Sequence, residues 1–333
     1  MKKYLISESG NFYKANLHCH TVCSDGRLTP QQVKEHYMAH GYSVVAFTDH
    51  DVLLAHPELK SDGFLPLNGF EVEVNQSTDK PYAQMKTCHI CFVAKEPDNL
   101  QLPFYHRSRY LFANAVNYRH LLQYDDTKPD YVRSFTHEGI SEMMRMGREA
   151  GFFVTYNHPT WSLEDYSDYM GYEGMHAMEI MNFGCWVNGY LDYNPRVYDD
   201  LLRLGRRIYA IATDDNHNQH DMCGGWTMIK APKLEYRAIT DALERGDFYA
   251  SWGPEIHELW YEDGYVHVRC SEAGRILCTY GARRTGVVTA EEGSSVTEAA
   301  FPVRENDVYL RITVEDKRGR CADTNAYFVN DLL

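Results

Sequence analysis

No stretch of about 18 uninterrupted apolar residues occurs in the chain, so a membrane-spanning helix is not expected. Positive charge is also in short supply. Acidic residues number 47 against 33 basic ones, a formal net charge of −14. Such a surface repels phosphate backbones, which makes nucleic-acid polymers and anionic membranes poor partners. Nine cysteines, an odd number, are scattered without a paired framework, which fits a reducing, cytoplasmic setting. Cys88 and Cys91 form a C-x-x-C, but on a strand side chains three apart face opposite ways and cannot share one metal. The lysines near the N-terminus are followed by neither an apolar core nor a small-residue cleavage site, so no export signal is expected. Repeats and low-complexity segments are missing as well. What remains is an ordinary globular composition, 44% hydrophobic and 24% charged. At 333 residues there is room for one barrel-sized domain and a smaller one.

Up to about residue 250, short apolar runs alternate with helix-like segments. Seven runs stand out, around residues 15–18, 43–48, 64–72, 87–93, 152–156, 176–181 and 207–213. Thr29, Pro30 and Gln32 form a capping box at the start of a helix that Gly41 ends. Ile140, Met143, Met144, Gly147 and Ala150 share one face of a second helix, stopped by Gly151. The alternation predicts a parallel sheet, and seven runs predict a barrel. Residues 96–136 break the rhythm with interleaved aromatics and arginines; an insert of that length is a lid or a surface subdomain. From residue 251 to 333 the pattern turns to period two, as in Val266, Val268 and Cys270 or Leu310, Ile312 and Val314. That predicts a small antiparallel, sandwich-like β domain.

The chemistry-bearing residues sit where apolar runs end. In N-L-H-C-H-T-V-C-S-D-G, His18 and His20 project to one strand face and can share a metal, with Asp25 at the following turn. In T-D-H-D, His50 is the candidate ligand, and Asp49 and Asp51 are candidates to orient ligands. Glu71, His89, His158 in N-H-P, and Asp215 and His217 in T-D-D-N-H close further runs. A lone buried histidine is ordinarily a hydrogen-bonded core residue. Nine metal-competent groups at successive strand ends are not explained that way, because such groups are costly to bury without a partner. Their number exceeds what one ion needs, which points to a di- or trinuclear centre with Glu71 as a bridge.

The ordered set H-C-H, S-D-G-R-L-T-P, F-T-D-H-D, Glu71, His89, N-H-P and D-D-N-H resembles the motifs of the PHP (polymerase and histidinol phosphatase) family over roughly residues 14–250. The resemblance implies a distorted (β/α)7 TIM-like barrel for residues 1–250, carrying two or three divalent metal ions (Mn, Zn or Fe). It implies His18, His20, Asp25, His50, Glu71, His89, His158, Asp215 and His217 as ligands, with Asp25, His50 and Asp215 also serving catalysis. Two departures are visible. Asp214 and Asp215 compete for the last motif, where the spacing to His217 favours Asp215. The long separation of Glu71 from His89 reads as a hairpin extension through residues 75–86.

The function expected is hydrolysis of a small phosphorylated substrate, a nucleotide or metabolite, by metal-activated hydroxide. Arg107, Arg109 and Arg133 in the insert are candidates to grip it. Carbamate or amide hydrolysis on the same centre, or a non-catalytic metal-binding module, are the alternatives. The oligomeric state has no signature in the sequence.

Overall fold

The computed structural model describes residues 2–77 and 79–333. Strands β1 (Lys3–Tyr4) and β2 (Asn11–Asn16) open the chain. Helix α1 (Pro30–Ala39) leads to β3 (Val44–Phe47). The Thr29 hydroxyl accepts the Gln32 N–H, and Gln32 returns a bond to the Thr29 backbone, which fixes where α1 starts. Strands β4 (Leu65–Asn75) and β5 (Thr87–Ala94) form the extended hairpin, paired from Gly69–Val93 out to Asn75–Thr87.

The insert holds two short strands, β6 (Gln101–Leu102) and β7 (Gln123–Tyr124), on either side of a 3-10 helix at Ala113–Leu121. Helix α2 (His137–Glu149) then precedes β8 (Phe152–Asn157). It buries Ile140, Met143 and Met144, and it presents Gly147 to Phe92 so closely that an added Cβ would lie 2.3 Å from the ring. Next come α3 (Tyr166–Tyr169), β9 (Ala177–Asn182), α4 (Phe183–Val187), α5 (Pro195–Arg203) and β10 (Tyr209–Thr213). Strand β11 (Trp226–Ala231), helix α6 (Tyr236–Arg245) and β12 (Phe248–Ser251) follow.

The remaining strands are β13 (Ile256–Glu262), β14 (Tyr265–Ala273), β15 (Arg275–Tyr280) and β16 (Thr285–Thr289). After them come β17 (Val296–Pro302), β18 (Tyr309–Glu315), β19 (Cys321–Thr324) and β20 (Tyr327–Phe328).

One large sheet runs β10-β9-β8-β5-β4-β3-β2-β11-β12-β19-β18-β15-β16. It is mixed where a parallel sheet was expected. β2/β3, β3/β4, β8/β9 and β9/β10 are parallel, whereas β4/β5, β5/β8 and β2/β11 are antiparallel. For β5 the cause is local: β4 and β5 are joined by a hairpin, and a hairpin reverses direction. The expected barrel is borne out in part, as a mixed α/β fold whose β10 lies against β2 and β11. Among the described residues no strand ladder closes β10 onto β2 or β11; side chains and the strand-end loops span the seam instead. The Thr227 hydroxyl bonds both the N–H and the C=O of Ala212, and Asn16 Oδ1 accepts the Asp214 N–H at 2.9 Å. At the rim, Asp215 N–H reaches the His18 carbonyl at 3.0 Å and His20 N–H reaches that of Asn216 at 3.1 Å.

The C-terminal strands continue the same sheet, since β12 pairs with both β11 and β19. A second, four-stranded antiparallel sheet, β1-β13-β14-β17, includes the N-terminal strand. Ile256, Leu259, Val266 and Val268 from it pack with Ile276, Cys278, Ile312 and Val314 of the large sheet into one apolar core. Arg311 on β18 is fully buried and pairs with Asp199 of α5 and Asp323 of β19. No described helix is long and apolar enough to cross a membrane. All nine cysteines are free thiols.

Candidate metal centre

The rim where the strand ends meet gathers the nine sequence-predicted residues in one place. Glu71, at the end of the buried half of β4, is its hub. Its Oε1 lies 3.1 Å from His18 Nε2, 3.1 Å from His89 Nδ1 and 3.5 Å from His158 Nε2. Its Oε2 lies 3.2 Å from His20 Nε2 and 3.4 Å from His50 Nδ1. Asp215 faces the same histidines from the other side, with Oδ1 at 3.2 Å from both His18 Nε2 and His20 Nε2. Asp25 completes the outer edge, 3.5 Å from His20 Nδ1 and 3.3 Å from His217 Nε2.

Three of the groups able to hold a cation overlap here: His20, Asp25, His50 and His217; His18, His158 and Asp215; and His50, Glu71 and His89. A fourth adds Cys91 to His18 and Glu71. Cys91 faces inward on β5, while Cys88 packs in the apolar core outside, as the strand alternation requires.

The donor set fits divalent metals, and its unpaired atoms show why. His50 Nδ1, His89 Nε2 and Asp215 Oδ1 are buried without a hydrogen-bond partner, which costs free energy unless something else binds them. Burial alone would push the histidines toward neutrality. Despite it, Asp215, Glu71 and Glu179 raise His18 well above its usual range, and Asp215 and Glu71 raise His20 to about 10. His158 is likewise raised to about 9 against its burial, first by its bond to Glu71. Burial wins at His50, which falls to about 3. Burial opposes ionisation of Asp215 and Glu71 too, yet the imidazoles hold both carboxyls far below their ordinary values. The pocket therefore demands positive charge, and protons supply it when no metal does. Backbone strain marks the same place, with Asp51, His158 and Asp215 all at positive φ.

Supporting groups hold the ligands in position. Asp49 accepts Thr21 N–H, the Thr21 hydroxyl and the Ser24 hydroxyl, at 2.7–2.8 Å, and so sets the turn that carries Asp25. Asp214 points away from the cluster and accepts the Tyr37 hydroxyl and the N–H groups of Cys223, Gly224 and Gly225. One such residue was missed from sequence. Glu179, fully buried on β9, accepts from His18 Nδ1 at 2.7 Å, from Thr213 Oγ1 at 2.7 Å and from His158 N–H at 2.9 Å. Its signal was a carboxylate inside the otherwise apolar run A-M-E-I-M.

A cavity of about 460 Å³ opens above the cluster. Tyr82, Phe112, Trp161 and Tyr190 line it, with Glu73 and Asp221 as further acids. Among the described residues neither lysine nor arginine borders it. Phe112 brings the insert to the mouth, its ring 4.9 Å from that of His50, and Asn114 N–H bonds the Ser24 carbonyl. The three insert arginines face elsewhere. Arg107 pairs with Asp130 and with the carbonyls of Asp126 and Lys128. Arg109 lines a small separate pocket beside Tyr105 and Tyr110. Arg133 pairs with Asp51 and bonds the Glu73 carbonyl.

Residues 16–216, more than half of the chain, match the PHP domain family. The chain belongs to the PHP domain family. No curated protein matches its sequence. Among solved structures it is similar to a two-domain protein from Bacteroides vulgatus containing a predicted PHP-like metal-dependent phosphoesterase, at 14% identity and a TM-score of 0.49, covering 98% of both chains. A candidate metal-dependent phosphoesterase from Bifidobacterium adolescentis is similar at 16% identity and a TM-score of 0.39, over 64% of this chain and 90% of that one. An amidohydrolase from Chromobacterium violaceum with bound sulfate and no metal reaches 18% identity and 0.32, over 62% and 88%. Likeness at these levels carries no functional inference; the family match and the site geometry do.

Proposed function

We propose that this PHP-family chain is a metal-dependent phosphoesterase that hydrolyses a small phosphate ester, a nucleotide or metabolite monoester, at a centre of two or three divalent ions (Mn, Zn or Fe). The observation that carries the reading is the packing of three cation-holding groups around Glu71, which belongs to one of them, beneath a cavity with no basic lining among the described residues. His18, His20, Asp25, His50, Glu71, His89, His158, Asp215 and His217 would hold the ions. Bound divalent ions supply Lewis acidity toward phosphoryl oxygens and lower the pKa of water.

The chain's own residues would do the rest. Glu179 fixes the His18 ring through Nδ1, leaving Nε2 directed inward, and Asp49 holds the Asp25 turn. His217 and Asp25 stand outermost, at 38% and 26% side-chain exposure, and are placed to pass protons to solvent. Trp161, Tyr82 and Phe112 offer ring faces to the alcohol portion of the ester. Glu73 and Asp221 repel additional phosphates, which disfavours polyphosphates and polynucleotides. With no basic lining, the ions themselves must neutralise the phosphoryl group. Arg133 would act as a positioning residue, since it holds Asp51 next to His50.

A panel of sugar phosphates, nucleoside monophosphates and diesters, assayed with added manganese beside carbamate and amide substrates, tests the reading. Turnover of monoesters is expected. Turnover confined to the carbonyl substrates would overturn it.

A further inference from the structure

On the outside of the molecule, away from the Glu71 cluster, a different set of metal-competent side chains meets. His36 and His40 lie one helical turn apart at the C-terminal end of α1, so both rings leave the same face. Cys223 arrives from the loop that follows His217. One candidate ligand atom from each of the three lies within 4.8 Å of the others. Tetrahedral zinc with nitrogen and sulfur ligands needs edges of roughly 3.3–3.6 Å. Small side-chain rotations of the half-exposed His36 and exposed His40 would close that difference.

Two of the three partners are already held. His40 Nδ1 bonds the His36 carbonyl at 2.8 Å, which leaves Nε2 to ligate. Gln219 Nε2 lies 3.3 Å from His36 Nδ1 and donates to it, so ligation through His36 Nε2 requires the Gln219 amide to turn its oxygen toward Nδ1–H. The Cys223 N–H is tied to Asp214, and its backbone is held at φ 68°. Burial, then Asp214, push the Cys223 thiol up to about 12, partly offset by Lys14. Without a cation it keeps its proton, which argues against a free redox-active thiolate.

We propose that His36, His40 and Cys223 form a second metal site, suited to a soft divalent ion such as zinc and distinct from the Glu71 centre. Two imidazoles and a thiolate are the ligands zinc prefers, and a fourth position is left for water. Binding deprotonates Cys223 and releases that proton to solvent. The bound ion ties the end of α1 to the loop running from His217 to Cys223, and so braces from outside the segment that carries an outer residue of the Glu71 cluster.

The test uses the full chain, stripped of metal and titrated with cobalt(II), whose thiolate complexes absorb by charge transfer. Wild type should develop this band with one equivalent bound through sulfur, stable to desalting. The band should vanish in Cys223→Ser, weaken strongly in His40→Ala and persist in Cys91→Ser, which controls for the thiol at the Glu71 centre. Zinc analysis should show one equivalent fewer in Cys223→Ser than in wild type, with hydrolytic activity retained. A band that survives Cys223→Ser, that never forms, or that forms only in cobalt excess and is lost on desalting overturns the proposal.

Discussion

Two buried clusters of charge lie in this molecule, and they are built to opposite ends. Where the C-terminal strands meet α5, Arg311 satisfies Asp199 through two nitrogens and reaches Asp323, while Tyr309 also donates to Asp199 and Thr313 and Tyr193 to Asp323. One guanidinium serves two carboxylates here, and donors within the protein meet the carboxylate oxygens. At the rim, six imidazoles crowd the carboxylates of Glu71 and Asp215, and three buried polar atoms remain without hydrogen-bond partners. Burying charge is tolerated when it is paired. The first cluster is complete as it stands and serves as a joint; the second is completed by a cation.

The strongest way to break this contrast is to remove a ligand. Asp215→Asn, His18→Ala and His50→Ala should each lower kcat/KM by well over about 100-fold, more than the loss typical of a group that only supports ligands. Thermal melts should show the fold retained, because no core volume is removed. If Asp214→Asn is inactive and Asp215→Asn is active, the assignment of the last motif is wrong.

Removing the cation from the closed cluster should do the reverse. Arg311→Met leaves Asp199 and Asp323 buried and unpaired, and should cost about 3–5 kcal/mol of stability. Denaturant unfolding measures this, and kcat of the protein that remains folded should be unchanged. The same joint, with the unbroken pairing of β12 to β19, means that truncation near Ser251 should yield insoluble protein, although every proposed ligand precedes that point.

Glu179→Gln sharpens the comparison more gently. It keeps the shape but loses the charge that holds His18, and should weaken metal affinity about 10–100-fold. Isothermal titration with manganese reads this directly, and an unchanged affinity would remove Glu179 from the account.

The smallest effect is a pH dependence. In metal-free protein His20 and His158 hold protons up to about 10 and 9, against 6.5 for the ordinary side chain. Their raised values contribute stability that is fully present below about pH 6.5 and lost as the pH climbs through 9 and 10. The depressed values of Glu71 and Asp215 act in the acid range and do not alter this window. Melting temperature in chelator should therefore fall between pH 7 and 10, and saturating metal should flatten the fall. Equal slopes with and without metal would contradict the role given to these protons.

Much of this was legible in the residues. The capping box at Thr29 and the apolar face of α2 are local patterns, and the strand ends delivered His18, His50, His158 and Asp215 because each stands out against an apolar run. Sheet direction was not legible. The hairpin through residues 75–86 was legible in the long separation of Glu71 from His89, but the alternation of runs and helices gave no sign that it would reverse the ladder of the expected parallel sheet. Nor could the sequence show that Thr227 and Asn16 would stand in for a closing ladder, since those bonds depend on curvature. Glu179 escaped because one carboxylate in a strand gains meaning only when His18 is seen beside it. The partners of Arg107 and Arg133, Asp130 and Asp51, were not legible either, because they are near only in space.

The most direct test counts metal. Protein purified without chelator, carrying Cys223→Ser so that only the Glu71 centre is counted, should contain two or three equivalents of divalent metal per chain and hydrolyse a phosphate monoester. A reproducible value of one or less, unchanged after reconstitution with manganese or zinc, would contradict the account.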